Sequence, residues 1–151
     1  NRGLVVIKGL VMDLRQLTPN LAVAPQIALE DVPLLAASGF KTLINNRPDD
    51  EAGAVDHQLM AQAAADAGMS YHYLPFTPGQ ITPDLIQGFA EALEGEKPAL
   101  AYCRSGNRST VLWALSQSGK QSESELLSAA AEAGYDLSGI VPLMRSLAGN
   151  G

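Results

Sequence analysis

Residues 98–115 constrain this chain more than any other stretch. Pro98-Ala99-Leu100-Ala101-Tyr102 is short and apolar, as a buried strand is; Cys103-Arg104-Ser105-Gly106-Asn107-Arg108 is a loop containing a glycine; Val111-Leu112-Trp113-Ala114-Leu115 continues as an apolar helix. That order sets the unpaired amides of a helix N-terminus at the end of a strand, which makes a concave site for an anion. Cys103 is the single cysteine of the chain and stands at the mouth of this loop. Loop amides, the helix end and the guanidinium groups of Arg104 and Arg108 all favour the anionic, nucleophilic form of its sulfur. A free cysteine is more often a small buried hydrophobe. Here the flanking Arg, Gly and Arg suit a packed core poorly, and the reactive reading is preferred.

The remaining chain alternates strand and helix signals. Residues 21–24 read as a strand ended by Pro25, and residues 29–38 as a helix with Val32, Leu35 and Ala36 at helical spacing and Gly39 as its stop. Residues 40–45 read as a buried strand. A helix over 55–67 is expected to put Leu59, Met60, Ala63 and Ala67 on one side before Gly68, and residues 71–75 form the next strand. Thr77-Pro78-Gly79-Gln80 has turn composition. Thr82-Pro83-Asp84 is a helix start, with a hydroxyl cap, a proline at the first position and an acid at the positive end, and Leu85, Ile86, Phe89, Ala92 and Leu93 form its apolar face. Ser122-Glu123-Ser124-Glu125 is a capping box for a helix ending by Gly134, and residues 138–147 form the last helix. Residues 3–12 read as one or two short strands, or as an apolar lead-in.

Such alternation implies crossover connections and an α/β fold, with a mainly parallel central sheet flanked by helices. Ligands of such sheets collect at the carboxyl ends of strands, where Cys103 and the 45–47 turn both fall. The 151 residues make one domain, 1–151, with 1–16 as a peripheral lead-in. A net charge of −6 with scattered basic residues argues against a general nucleic-acid binder or a binder of anionic membranes. No apolar run is long enough to span a bilayer. With one cysteine, His57 and His72, a zinc site of the Cys/His type is not expected, and no metal or other cofactor is called for.

The loop Cys103-Arg104-Ser105-Gly106-Asn107-Arg108 resembles the active loop of rhodanese-type sulfurtransferases, and also a shortened form of the protein tyrosine and dual-specificity phosphatase loop. Over about residues 17–117 the chain resembles the phosphatase-like domain of bacterial β-lactamase-hydrolase-like proteins. The residues that carry this are Gly39-Phe40-Lys41-Thr42-Leu43-Ile44-Asn45-Asn46-Arg47-Pro48-Asp49, Gly79-Gln80-Ile81-Thr82 and residues 101–113. The resemblance implies a dual-specificity/tyrosine-phosphatase-like fold with Cys103 as nucleophile and Arg108 as its catalytic partner. It also implies that Arg104, Ser105, Gly106, Asn107 and Ser109 hold the substrate anion, and that Asn46 and Arg47 line the site. From composition alone, Asn45 and Asn46 satisfy turn backbone while Arg47 pairs with Asp49 or Asp50. Ser109 either donates to the sulfur or caps the helix.

Two reactions compete for this loop. Phosphatase loops carry one residue more between cysteine and arginine than the four found here, and the shorter cup favours a sulfane sulfur over a phosphoryl group. Tyr102 stands where phosphatases carry a histidine, and Thr77 where dual-specificity phosphatases carry an acid. Loss of that acid removes roughly 10²- to 10⁴-fold in rate, unless Asp49, Asp50 or Asp84 replaces it. The leading expectation is therefore sulfur transfer: Cys103 takes the outer sulfur of thiosulfate or a persulfide and passes it to a thiol acceptor. A cysteine-dependent phosphatase acting on a phosphoester is the alternative, and a non-catalytic anion-binding module a third. Members of the family are sometimes fused to a persulfide dioxygenase, which makes such an enzyme a candidate partner; a bacterial, cytoplasmic setting is expected ahead of a periplasmic one.

Overall fold

The computed structural model describes residues 3–7 and 10–149, with side chains from Met12 onward. Six strands and six helices follow in the order β1 (Gly3–Ile7), β2 (Leu10–Thr18), β3 (Leu21–Ala24), α1 (Asp31–Ala37), β4 (Thr42–Asn45), α2 (His57–Asp66), β5 (Ser70–Tyr73), α3 (Pro83–Leu93), β6 (Ala99–Tyr102), α4 (Asn107–Gln117), α5 (Glu123–Glu132) and α6 (Val141–Gly149), with a 3₁₀ turn over Ser138–Ile140 before α6. They build one sheet in the order β1-β2-β3-β6-β4-β5. The four strands from β3 to β5 are parallel, and β1 and β2 add an antiparallel hairpin at the β3 edge. The lead-in expected over 1–16 thus forms this edge in its described part. β2 runs on to Thr18 because Met12 and Leu14, both buried on the α1 side, alternate with Asp13 and Arg15, which pair with each other at 3.0 Å on the α5 side, where Arg15 also donates to the Ala133 carbonyl.

The parallel strands are buried on both sides, and their period of two sorts residues between two cores. Leu21, Val23, Ile44, Ala99 and Ala101 face α3 and α4, together with Phe89, Leu112 and Trp113. Ala22, Ala24, Leu43, Leu100 and Tyr102 face α1 and α2, against Val32, Leu35 and Met60. Chain direction explains the division. The steps β3 to β4 and β4 to β5 run one way along the sheet and carry α1 and α2, while the return from β5 to β6 carries α3 on the opposite face, as a constant right-handed crossover requires. β6 lies between β3 and β4, and α4 leaves it on the face opposite α1 and α2. This is a topological switch point, and the loops after β3, β4 and β6 converge there. Register aligns their ends: Tyr102 sits opposite Ala24 on one side and Asn45 on the other.

Local signals fix the helix limits. Thr82 accepts from the Leu85 amide at 3.1 Å, and Ser122 with Glu125 forms the reciprocal box, each cap contributing about 1 kcal/mol. α2 differs from the sequence expectation in phase. Asp56 caps it by accepting from the Gln58 amide, which starts the helix at His57 and turns Met60 and Ala64 inward. Leu59, expected on the buried side, is 55% exposed. α4 is the inner helix, buried from Ser109 through Ser116, and the small Ala99 and Ala101 on the strand beneath it leave room for its close approach.

Candidate active site

β6 delivers Cys103 to the switch point. Its amide donates to the Ala24 carbonyl at 3.4 Å, so the strand ladder holds the residue up to the point where the loop departs. The chain then turns through Gly106, whose φ of +92° is the left-handed region that a side chain resists. A second reason for glycine lies behind the loop: a Cβ at Gly106 would overlap the hydroxyl of Tyr135, which donates to the Ser105 carbonyl at 3.0 Å. Burial pushes the Tyr135 phenol up to about 12, so it stays a neutral donor against the loop.

The sulfur lies on the floor of this loop and not at its mouth, contrary to the sequence expectation. Cys103 is 0% exposed, and its Sγ accepts the Gly106 amide at 3.1 Å. The loop wraps over the strand end so tightly that the thiol is enclosed by its own following residues. Ser105 Oγ accepts the Asn107 amide at 3.3 Å. Among the described residues, the amides of Arg104, Ser105, Arg108 and Ser109 make no hydrogen bond, so the loop and the start of α4 keep four donors for an acceptor. The side chains of Arg104, Ser105 and Asn107 are exposed on the rim.

Arg108 is anchored from the neighbouring loop. Its Nη1 donates to Glu51 Oε2 at 2.7 Å and to the Phe76 carbonyl at 2.6 Å, and its Nη2 to Glu51 Oε1 at 2.8 Å. This two-pronged pair fixes the plane of the guanidinium. It also raises the Arg108 pKa, through the Glu51 hydrogen bond first, with the nearby Cys103 sulfur adding to the effect. In the other direction, Arg108 foremost, with Arg47 assisting, holds the Glu51 carboxyl below the usual carboxylate range.

Arg47 is 6% exposed, and each of its guanidinium nitrogens has a protein acceptor: Nε on Glu51 at 3.1 Å, Nη1 on Gln26 Oε1 at 3.1 Å and Nη2 on the Ala52 carbonyl at 2.6 Å. It therefore reaches the site through Glu51, and its partner is neither Asp49 nor Asp50. Asn45 behaves as a turn residue, its Oδ1 accepting the Arg47 amide at 2.9 Å. Asn46, fully buried, joins four elements: its amide donates to the Tyr102 carbonyl, its carbonyl accepts from Phe76, its Nδ2 donates to the Leu74 carbonyl, and its Oδ1 accepts the Ser109 hydroxyl at 2.8 Å. Ser109 thus neither donates to the sulfur nor caps α4; it ties α4 to the β4 loop. Sequence reasoning passed over Glu51 and Tyr135, and Glu51 carried only the weak signal of an acid four residues beyond Arg47.

Away from the sulfur, ligand atoms of Asp49, Asp56 and His57 lie within 4.8 Å of one another. Each acid is already engaged, Asp49 with the His57 ring and amide, Asp56 with the Gln58 amide, and His57 also stacks on Tyr73 at 4.0 Å. Tyr102 carries the one buried side-chain polar atom without a partner among the described residues, and burial pushes its phenol far above the usual range.

A cysteine at the end of a central parallel strand, followed by a glycine turn and a buried helix that carries the anchored arginine, defines the phosphatase-like class of cysteine-centred α/β domains. Comparison with known proteins agrees. Residues 13–120 match the family model described as "Beta-lactamase hydrolase-like protein, phosphatase-like domain", and the chain belongs to that family. It is 33% identical over 126 residues to the Beta-lactamase hydrolase-like protein of Agrobacterium fabrum, covering 81% of this chain and 29% of that one. The chain thus spans about three tenths of the length of the curated relatives it matches. Among solved structures, a candidate phosphatase of Neisseria meningitidis superposes with a TM-score of 0.76 at 29% identity, over 87% of this chain and 96% of that one. The Tk-PTP structure, at a TM-score of 0.66 and 13% identity over 91% and 95% of the two chains, shares the fold. Among the described residues no helix is long and apolar enough to cross a membrane.

Proposed function

We propose that this chain is a cysteine-dependent, phosphatase-like hydrolase of small phosphoesters. The observation that carries this reading is the set of unpaired amides at Arg104, Ser105, Arg108 and Ser109 in the loop and helix start that follow Cys103, with Arg108 held by Glu51. The three non-bridging oxygens of a phosphoryl group can use these donors. Family membership supports the same reading. Cys103 attacks phosphorus, forming a sulfur–phosphorus bond as the ester oxygen departs, and water then releases phosphate from the sulfur. Cys103 is 0% exposed, so the 103–108 loop has to shift before a phosphoryl group meets the sulfur. Arg104 attracts the anion at the rim, while Asn46 and Arg47 hold the cup in shape from behind.

Sulfur transfer stays as the second reading, favoured by the four-residue spacing between Cys103 and Arg108 and by Thr77 in place of an acid. The purified chain incubated with p-nitrophenyl phosphate, and separately with thiosulfate and cyanide, decides between them, with Cys103→Ser as control. Cys103-dependent nitrophenol release is the expected result. Thiocyanate release without nitrophenol would move the assignment to sulfur transfer, and neither product would leave an anion-binding module.

A further inference from the structure

Thr77 directly follows Phe76, whose carbonyl is bound by Arg108, so the loop from β5 to α3 borders the anion site, and the residue next to that carbonyl carries a hydroxyl instead of a carboxyl. The carboxylate that touches Arg108 is Glu51. Two guanidinium groups hold it ionised, so it has no proton to give at neutral pH. Asp49 is occupied by His57, and Asp50 and Asp84 are exposed and bond neither Arg108 nor the 103–108 loop among the described residues. An oxygen departing from phosphorus in this site therefore departs as an anion, and the barrier depends on how stable that anion is. The exposed Arg104 side chain, next in sequence to the nucleophile, is a spare cation, with no hydrogen-bond acceptor for its guanidinium among the described residues.

Resting on the phosphatase reading, we propose that the natural substrate is a phosphoanhydride whose leaving group is itself a phosphate, gripped by Arg104 as it departs. The Cys103 thiolate forms a bond to the terminal phosphorus, and the bond from that phosphorus to the bridging oxygen breaks. The electron pair stays on the oxygen, which leaves as part of a phosphate dianion and needs no proton. Water then adds to phosphorus, the sulfur–phosphorus bond breaks, the thiolate returns, and the released inorganic phosphate keeps both protons of the water. A guanidinium that can bind two oxygens of the departing phosphate strengthens as charge develops there, which accelerates the step instead of merely tightening binding.

The test compares kcat/KM of the chain for inorganic diphosphate, p-nitrophenyl phosphate, phenyl phosphate and glycerol 3-phosphate. Diphosphate and p-nitrophenyl phosphate are expected to exceed phenyl phosphate by about 10²-fold, the scale of a missing acid, with glycerol 3-phosphate at background. Arg104→Ala is expected to lower the ratio of diphosphate to p-nitrophenyl phosphate about tenfold, and Arg104→Lys to recover part of it. Equal rates for phenyl and p-nitrophenyl phosphate, or an unchanged ratio in Arg104→Ala, would overturn the inference. Cys103-dependent cleavage of p-nitrophenyl phosphate with diphosphate untouched sinks this inference alone, whereas inertness toward p-nitrophenyl phosphate sinks the phosphatase reading and this one with it.

Discussion

The loops after β6 and β4 lie side by side at the ends of adjacent parallel strands, yet they are built by opposite means. The 103–108 loop is shaped by backbone: a left-handed glycine, an amide on the sulfur, and donors left open for a ligand. The loop from Asn45 to Glu51 is shaped by side chains that are almost entirely spent on protein. Asn46 bonds the strands and α4, Arg47 fills its donors, and Glu51 joins both arginines. One loop keeps donors open for a ligand, while the other spends most of its polar side chains on holding the protein together. Reactivity and support are separate parts here, joined among the described residues by side-chain contacts of Glu51 with Arg108 and of Asn46 with Ser109, and by the Asn46 amide on the Tyr102 carbonyl.

That division is tested first where it should be starkest. Cys103→Ser is expected to lower phosphate release on the order of 10⁴-fold or more with the thermal midpoint little changed, since a nucleophile is replaced by a near-isostere; steady-state turnover and a melting curve check it. Gly106→Ala, on the same loop, should instead cost stability, about 3 kcal/mol from left-handed strain and from the clash with Tyr135. Adding Tyr135→Phe should recover the clash and leave the strain, which denaturant titration of the two variants separates.

In the supporting loop, Glu51→Gln leaves Arg47 and Arg108 without their shared anion and should cost about 2 kcal/mol. The sign of its pH dependence follows from the lowered Glu51 pKa. The carboxylate stabilises the fold fully above its unfolded value and loses that contribution as pH falls through the lower folded value. The gap between wild type and Glu51→Gln should therefore be full at neutral pH and close below about pH 4.5. The smallest effect is expected from Ser109→Ala, about 1 kcal/mol for the bond to Asn46. Combined with Asn46→Ala it should be less than additive, because both remove one contact between the loops.

Much of the reactive loop was legible because its causes are local: strand, glycine and helix start are consecutive, and so are Cys103 to Arg108. The parallel sheet followed from alternating signals of the same short range. What escaped was set by distance or by phase. Glu51 meets Arg108 across 57 residues and Tyr135 meets Ser105 across 30, and no spacing rule joins such pairs. Leu59 was placed on the wrong side because the Asp56 cap, and not apolar content, fixes where α2 begins. Ser109 looked like a cap or a sulfur ligand until the neighbouring loop supplied Asn46. The enclosure of Cys103 was likewise invisible in a pattern of flanking arginines that suggests exposure.

The most direct test of the account is to quench the reaction with p-nitrophenyl phosphate during its first turnover and weigh the peptide that contains Cys103. The added mass of one phosphoryl group is expected on Cys103 and absent from Cys103→Ser. Full nitrophenol release with Cys103 unmodified throughout, or an added sulfur after thiosulfate in a protein that never takes a phosphoryl group, would contradict it.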